Sequence, residues 1–149
     1  MILKVHQDRQ RPYFKPSLVA QMKFKWLNGA QTIEHKYDYW GYRNSISLEK
    51  HIKKGKFGLA LGCSHTFGTG IFEEQRYTNV LAKEIGIPVY NAGMPGVANN
   101  FLTENSMELI KNNVKPEFVI IQMISPYRYT YYGGKDILKI FPEKKRGKF

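Results

Sequence analysis

The sequence predicts an α/β domain built on a mostly parallel sheet, and three observations carry that prediction. The run Phe57-Gly58-Leu59-Ala60-Leu61-Gly62 is apolar with no polar alternation, as expected of a strand covered on both faces. Strand-like and helix-like segments then alternate along the chain. Each strand-like segment ends in small or polar residues, which suits loops at the carboxyl edge of a parallel sheet.

The first of these strands stops at Cys63-Ser64-His65-Thr66, and a glycine-rich bend follows from Phe67 to Gly70. Tyr77, Val80, Leu81 and Ile85 fall at helical spacing, with Gly86 and Pro88 supplying a stop. Ile87 to Asn91 reads as a second strand and Ala92 to Gly96 as a loop. A helix beginning near Asn99 or Asn100 takes its apolar side from Phe101, Leu102, Leu109 and Ile110. Phe118 to Ile124 is the third strand, ending at Ser125-Pro126.

Upstream, Met22, Phe24 and Trp26 alternate with Gln21, Lys23 and Lys25, the period of a half-buried strand. Asn28-Gly29 suits a two-residue type I′ turn, so a β-hairpin is expected here, its second strand running through Ile33 toward Tyr37 and Tyr39. Ser47 to Lys54 reads as a short basic helix closed by Gly55. Residues 1–55 are taken as a lead-in carrying this hairpin, and residues 56–149 as the core.

With 149 residues and 42% hydrophobic content, one domain is the default. No apolar run approaches the roughly 20 residues of a membrane helix. Charge arrives too early at the N-terminus for a signal peptide, so a cytoplasmic protein is expected. The single cysteine, Cys63, cannot form an internal disulfide, and one thiol with scattered histidines makes no zinc set; neither metal nor cofactor is implied. The net charge of +11 invites a polyanion partner. Basic residues concentrate only at Lys50 to Lys56 and in the tail from Lys144 to Lys148, more as solvated surface than as a groove, so specific nucleic-acid binding is not expected.

In open parallel sheets, ligands bind outside the carboxyl ends of the strands. Three polar loops are due there: Cys63 to Gly70, Ala92 to Asn100, and Ser125 to Arg128. Ser64 stands directly after the first strand, where its hydroxyl can be exposed beside backbone N–H groups, an arrangement that suits acyl transfer. The plainer reading is a serine that caps a turn.

Leu61-Gly62-Cys63-Ser64-His65-Thr66-Phe67-Gly68-Thr69-Gly70 resembles the first signature block of SGNH/GDSL hydrolases, a Gly-Asp-Ser-x-Thr-x-Gly pattern, with Ser64 matching the nucleophile. Asn91-Ala92-Gly93-Met94-Pro95-Gly96 is similar to the family's second block, with Gly96 matching the residue whose N–H joins that of the nucleophile in the oxyanion hole. Tyr39-Trp40-Gly41-Tyr42-Arg43 resembles the lead-in that often precedes the first block in bacterial and phage members. The resemblance covers about Asp38 to Ile124. It implies a three-layer, flavodoxin-like fold and a cofactor-independent serine hydrolase acting on a small ester or an acetylated sugar.

Two family features have no match. Where a Gly-x-Asn-Asp block should follow the third strand, the chain reads Ile124-Ser125-Pro126-Tyr127-Arg128; Ser125 and Gln122 are the nearby donors, while Pro126 offers no N–H. No Asp-x-x-His follows, and no histidine lies beyond His65; His6, His35 and His51 precede the core. The resemblance therefore implies that the last part of the fold is missing. Cys63, where the family has aspartate, reads as an inward-facing small residue in preference to a thiol nucleophile. Asn91 and Ser125 are kept as accessory candidates, and Tyr127, Tyr129, Tyr131 and Tyr132 with Arg128 as cover for the sheet edge, with stacking on a sugar or base as the alternative. The rival to the hydrolase is a catalytically silent module of the same fold that binds an anionic partner.

Overall fold

The structure, a computed structural model, describes residues 21–26, 29–38, 41–133 and 136–140. Strands β1 (Gln21–Trp26) and β2 (Gly29–Glu34) form the expected antiparallel hairpin. Trp26 pairs with Gly29, so Gly29 is a strand residue, whereas the sequence placed it in the turn. β2 also stops at Glu34, short of Tyr37. Helix α1 (Leu48–Lys54) follows, its exit made by Gly55 at φ 90°, a conformation open chiefly to glycine.

Strand β3 (Gly58–Gly62) is buried along its whole length, as its unbroken apolar run predicts. It feeds a single helical turn, α2 (Ser64–Phe67), then a short 3-10 turn (Glu73–Gln75) and helix α3 (Tyr77–Ile85). Strand β4 (Val89–Gly93) leads to helix α4 (Asn99–Lys111), and β5 (Phe118–Ile121) closes the series. β3 pairs in parallel with β4 on one side and β5 on the other, giving the order β4-β3-β5. The second strand in sequence lies on one side of the first and the third on the other, an α/β arrangement consistent with a flavodoxin-like layout.

β4 starts and ends two residues later than the sequence suggested. Asn91, Ala92 and Gly93 pair with Ala60, Leu61 and Gly62, so residues that read as loop belong to the sheet. Their sheet neighbours decide this, against the turn preference of Asn and Gly.

The core does not respect the boundary at residue 55. Tyr42 and Leu48 join Phe57, Leu59, Leu61, Tyr90 and Phe101 in one buried cluster, each side chain of this size contributing about 1.5–3 kcal/mol. Asp38 reinforces the junction, accepting from Tyr42 N–H at 3.0 Å and from Tyr90 Oη at 2.7 Å.

β5 is less covered than β3. Val119 and Ile121 are each 49% exposed, as is Met123 just beyond the strand at 72%, and among the described residues β5 pairs with β3 alone. Two helices also bury less than their spacing suggested. Ile110 on α4 is exposed, as are Val80 and Ile85 on α3, where the fully buried residue is Thr78.

A second hairpin, β6 (Tyr129–Gly133) with β7 (Asp136–Ile140), follows where the sequence suggested only cover for the sheet edge. Tyr127 and Tyr129 stand exposed and so cover little. Among the described residues, no helix is long and apolar enough to cross a membrane.

Candidate functional site

Ser64 is the first residue of α2, directly beyond the end of β3. The turn it opens is closed by Gly68, which takes the left-handed conformation at φ 78° and donates to the carbonyls of Ser64 at 3.0 Å and His65 at 3.2 Å. Ser64 is half-buried, and its hydroxyl makes no hydrogen bond to any described residue. At the first helical position its N–H has no carbonyl within the helix to pair with.

The Gly96 loop arrives at the same rim. Met94 N–H donates to Gly62 O at 3.0 Å, extending the β3–β4 register past the strand ends. Pro95 and Gly96 then turn, Gly96 at φ 75°. Gly96 N–H points at Cys63 Sγ, 3.2 Å away, on the residue next to Ser64. Cys63 itself is buried in the core cluster, as an inward-facing small residue should be.

The third loop completes the rim. Gln122 N–H donates to Leu61 O at 2.9 Å, so the chain leaves β5 beside the end of β3. Asn99, at the start of α4, donates to Ile124 O at 2.7 Å and accepts from Ile124 N–H at 2.8 Å. A turn from Ser125, closed by Arg128 N–H donating to Ser125 O at 3.2 Å, brings Arg128 Nη1 to 4.0 Å from Cys63 Sγ.

Beneath this rim lies a buried polar scaffold, and Asn91 belongs to it. Asn91 is 1% exposed. Its amide donates to Thr66 O at 2.5 Å and Thr78 Oγ1 at 3.2 Å, and its Oδ1 accepts from Gly93 N–H at 2.9 Å. Asn91, kept as an accessory candidate, thus has its amide engaged below the Ser64 turn. Asn44 copies a peptide group on the outer edge of β4, donating to Asn91 O at 2.9 Å and accepting from Asn91 N–H at 3.1 Å. Thr66 Oγ1 donates to Gln122 Oε1 at 2.7 Å, which engages that oxygen of Gln122 beneath the turn. Ser125 is exposed at the rim.

Two arginines, each 1% exposed, hold the far side of the loop. Arg43 donates to the carbonyls of Gly68 and, at 2.8 Å, Ile71, while Arg76 donates to Arg43 O and pairs with Glu73 at 3.0 Å. Burial, with the Arg76 charge nearby, lowers Arg43 to about 10, so it stays protonated at neutral pH. Sequence reading saw Arg43 only as part of a motif and passed over Arg76, since nothing local marks an arginine as buried.

Among the described residues, no histidine is placed to supply a base to Ser64. His35 folds back onto the core, its Nδ1 3.2 Å from Tyr37 Oη and its ring edge-on to Phe67 at 5.3 Å. Burial, then the charges of Arg43 and Arg76, lower its pKa to about 4. His51 packs against Phe57 and Tyr90, its pKa also lowered by burial. His65 is exposed, and His6 lies outside the described residues. Among the described residues, no histidine is hydrogen-bonded to Ser64.

A separate cavity of about 220 Å³ is lined by Asn44, His51, Glu73, Arg76, Pro88 and Val89. Pro88 and Val89 lie at the start of β4, the opposite end of that strand from Gly93.

Comparisons with protein-family models, with curated proteins and with solved structures give no match to this chain.

Proposed function

We propose that the chain is an SGNH-type serine hydrolase of ester bonds, with Ser64 as nucleophile and the N–H groups of Ser64 and Gly96 as oxyanion donors. One observation carries this reading: Gly96 N–H lies 3.2 Å from the side chain of the residue adjoining Ser64, so a hydroxyl and an independent backbone donor meet at one rim. Fixed donors of this kind act on charge that develops in the transition state, where they contribute most. The substrate in this reading is a small ester or an acetylated sugar, and the chemistry needs a nucleophile, a proton acceptor and donors, with no cofactor.

A second reading has its own support. His35 and His51 are turned to packing, which favours a silent module of the same fold whose positive charge binds an anionic partner. A fluorophosphonate probe separates the two. The hydrolase reading expects labelling of wild type and none of Ser64→Ala. An unlabelled wild type that is retained on heparin and released by salt would support the binding module.

A further inference from the structure

We propose that the amino-terminal rim of the parallel sheet binds the phosphate backbone of double-stranded nucleic acid without reading its sequence. This surface lies at the opposite end of the strands from Ser64, and the inference stands whether or not that serine reacts. It gives the anionic partner of the second reading a place and a chemistry.

The fold gathers what the sequence scatters. Lys53, Lys54 and Lys56 precede β3, Lys83 precedes β4, and Lys111 and Lys115 precede β5, each at the end of a helix or in the connection that follows it. Because the strands are parallel, all three approaches reach the same rim. Gly58 N–H donates to Pro88 O and Glu117 N–H to Phe57 O, both at 2.8 Å, so the approaches to β4, β3 and β5 stand side by side.

The charge there is unspent. All six lysines are exposed, and none is ion-paired to a described residue. The exposed acids in the same segments are Glu84 and Glu117, so six lysines against two carboxylates leave four positive charges in excess. Helix C-termini favour lysine through the macrodipole, which accounts for Lys53, Lys54, Lys83 and Lys111. It does not account for Lys56 and Lys115, which lie outside the helices.

Geometry and side-chain type select the partner. Strands about 4.8 Å apart spread the three approaches over about 10 Å, the scale of a duplex groove. Lys83 on one side, and Lys111 and Lys115 on the other, thereby face the phosphates of two strands, with the lysines before β3 between them. Lysine meets phosphate as a point charge. The exposed aromatic residues suited to stacking on unpaired bases, Tyr127 and Tyr129, lie beyond the other end of β5. Contacts to phosphate alone carry no sequence information.

The test is binding of the full chain to a short DNA duplex of arbitrary sequence, followed by fluorescence anisotropy. Six phosphate contacts give log K against log salt a slope of about −5, a roughly thousandfold loss between about 50 and 200 mM salt. The triple variant Lys53→Gln, Lys54→Gln, Lys56→Gln should flatten that slope by about 3, and Lys115→Gln alone by about 1. Lys36→Gln, which removes an exposed lysine away from the rim, should leave it unchanged. An unchanged slope in the triple variant overturns the proposal, as does equal flattening by Lys36→Gln. Loss of binding only when Lys144, Lys145, Arg146 and Lys148 are changed to glutamine also overturns it, by assigning the contact to the tail. So does preference for single-stranded DNA, or for vesicles of equimolar phosphatidylserine and phosphatidylcholine, on which Ile85, exposed near Lys83, would add an apolar contact. Fluorophosphonate labelling of the rim variants should match the wild type, so failure here leaves the Ser64 reading where it stands.

Discussion

Replacing Asn91 by alanine removes the centre of the scaffold under Ser64. Three groups lose their partner: Thr66 O at 2.5 Å, Thr78 Oγ1 at 3.2 Å and Gly93 N–H at 2.9 Å. Thr66, Thr78 and Gly93 are all buried, so water cannot take over these bonds without opening the structure. A buried polar group left unpaired costs about 1–3 kcal/mol. The Thr78 hydroxyl keeps its own bond to Asn79 Oδ1, to which it donates at 3.3 Å, which leaves two groups at full cost. The expected loss is therefore about 2–6 kcal/mol, a large part of the roughly 5–15 kcal/mol that stabilises a domain. Urea denaturation followed by tryptophan fluorescence measures it. Asn91→Asp sharpens the test, because it keeps the acceptor for Gly93 N–H and sets a carboxylate against Thr66 O; above the carboxylate pKa it should be no more stable than the alanine variant. A loss below about 1 kcal/mol for Asn91→Ala would show that the amide is not holding the turn.

Two further predictions concern space and pH. A Cβ on Gly93 would come within 2.7 Å of the Thr66 carbonyl carbon and nearer still to Phe67 N, so Gly93→Ala must push the Ser64 turn off the sheet. It should lower the urea midpoint and slow fluorophosphonate labelling together, and an unchanged labelling rate would refute the close fit. His35, held at about 4 in the fold against 6.5 free, takes up its proton more readily when unfolded. Its contribution is complete above pH 6.5 and lost as pH falls from there toward 4. His35→Phe should flatten the fall in urea midpoint over that window, and an unchanged slope would refute the assignment.

Much of this arrangement is legible in the residues themselves, because local pattern and global fold agree there. The unbroken apolar run into Gly62 can only be a covered strand, and a serine placed straight after it must appear at the carboxyl edge, as must the Gly96 loop one strand over. Agreement fails where a tertiary partner overrides local preference. Asn-Ala-Gly has the composition of a loop, yet pairing with Ala60-Leu61-Gly62 draws it into the sheet. Arginine is a surface residue by habit, and the backbone carbonyls that bury Arg43 lie 25 and 28 residues away. Arg128 stood among tyrosines and was read with them as cover for the sheet edge, with stacking as the alternative, since nothing in its neighbourhood announces Cys63. The second hairpin did leave a trace, Gly133-Gly134 between two β-rich runs, the usual mark of a tight reversal.

The contact between Gly93 and the turn of Ser64 bears on how such chains are recognised. Gly62 and Gly93 stand where a methyl group would strike Thr66, so both are demanded by architecture before any reaction is considered. A lineage that gave up turnover but kept its shape would go on carrying them. The glycine signature therefore reports a contour, and only a chemical probe reports whether anything still happens inside it.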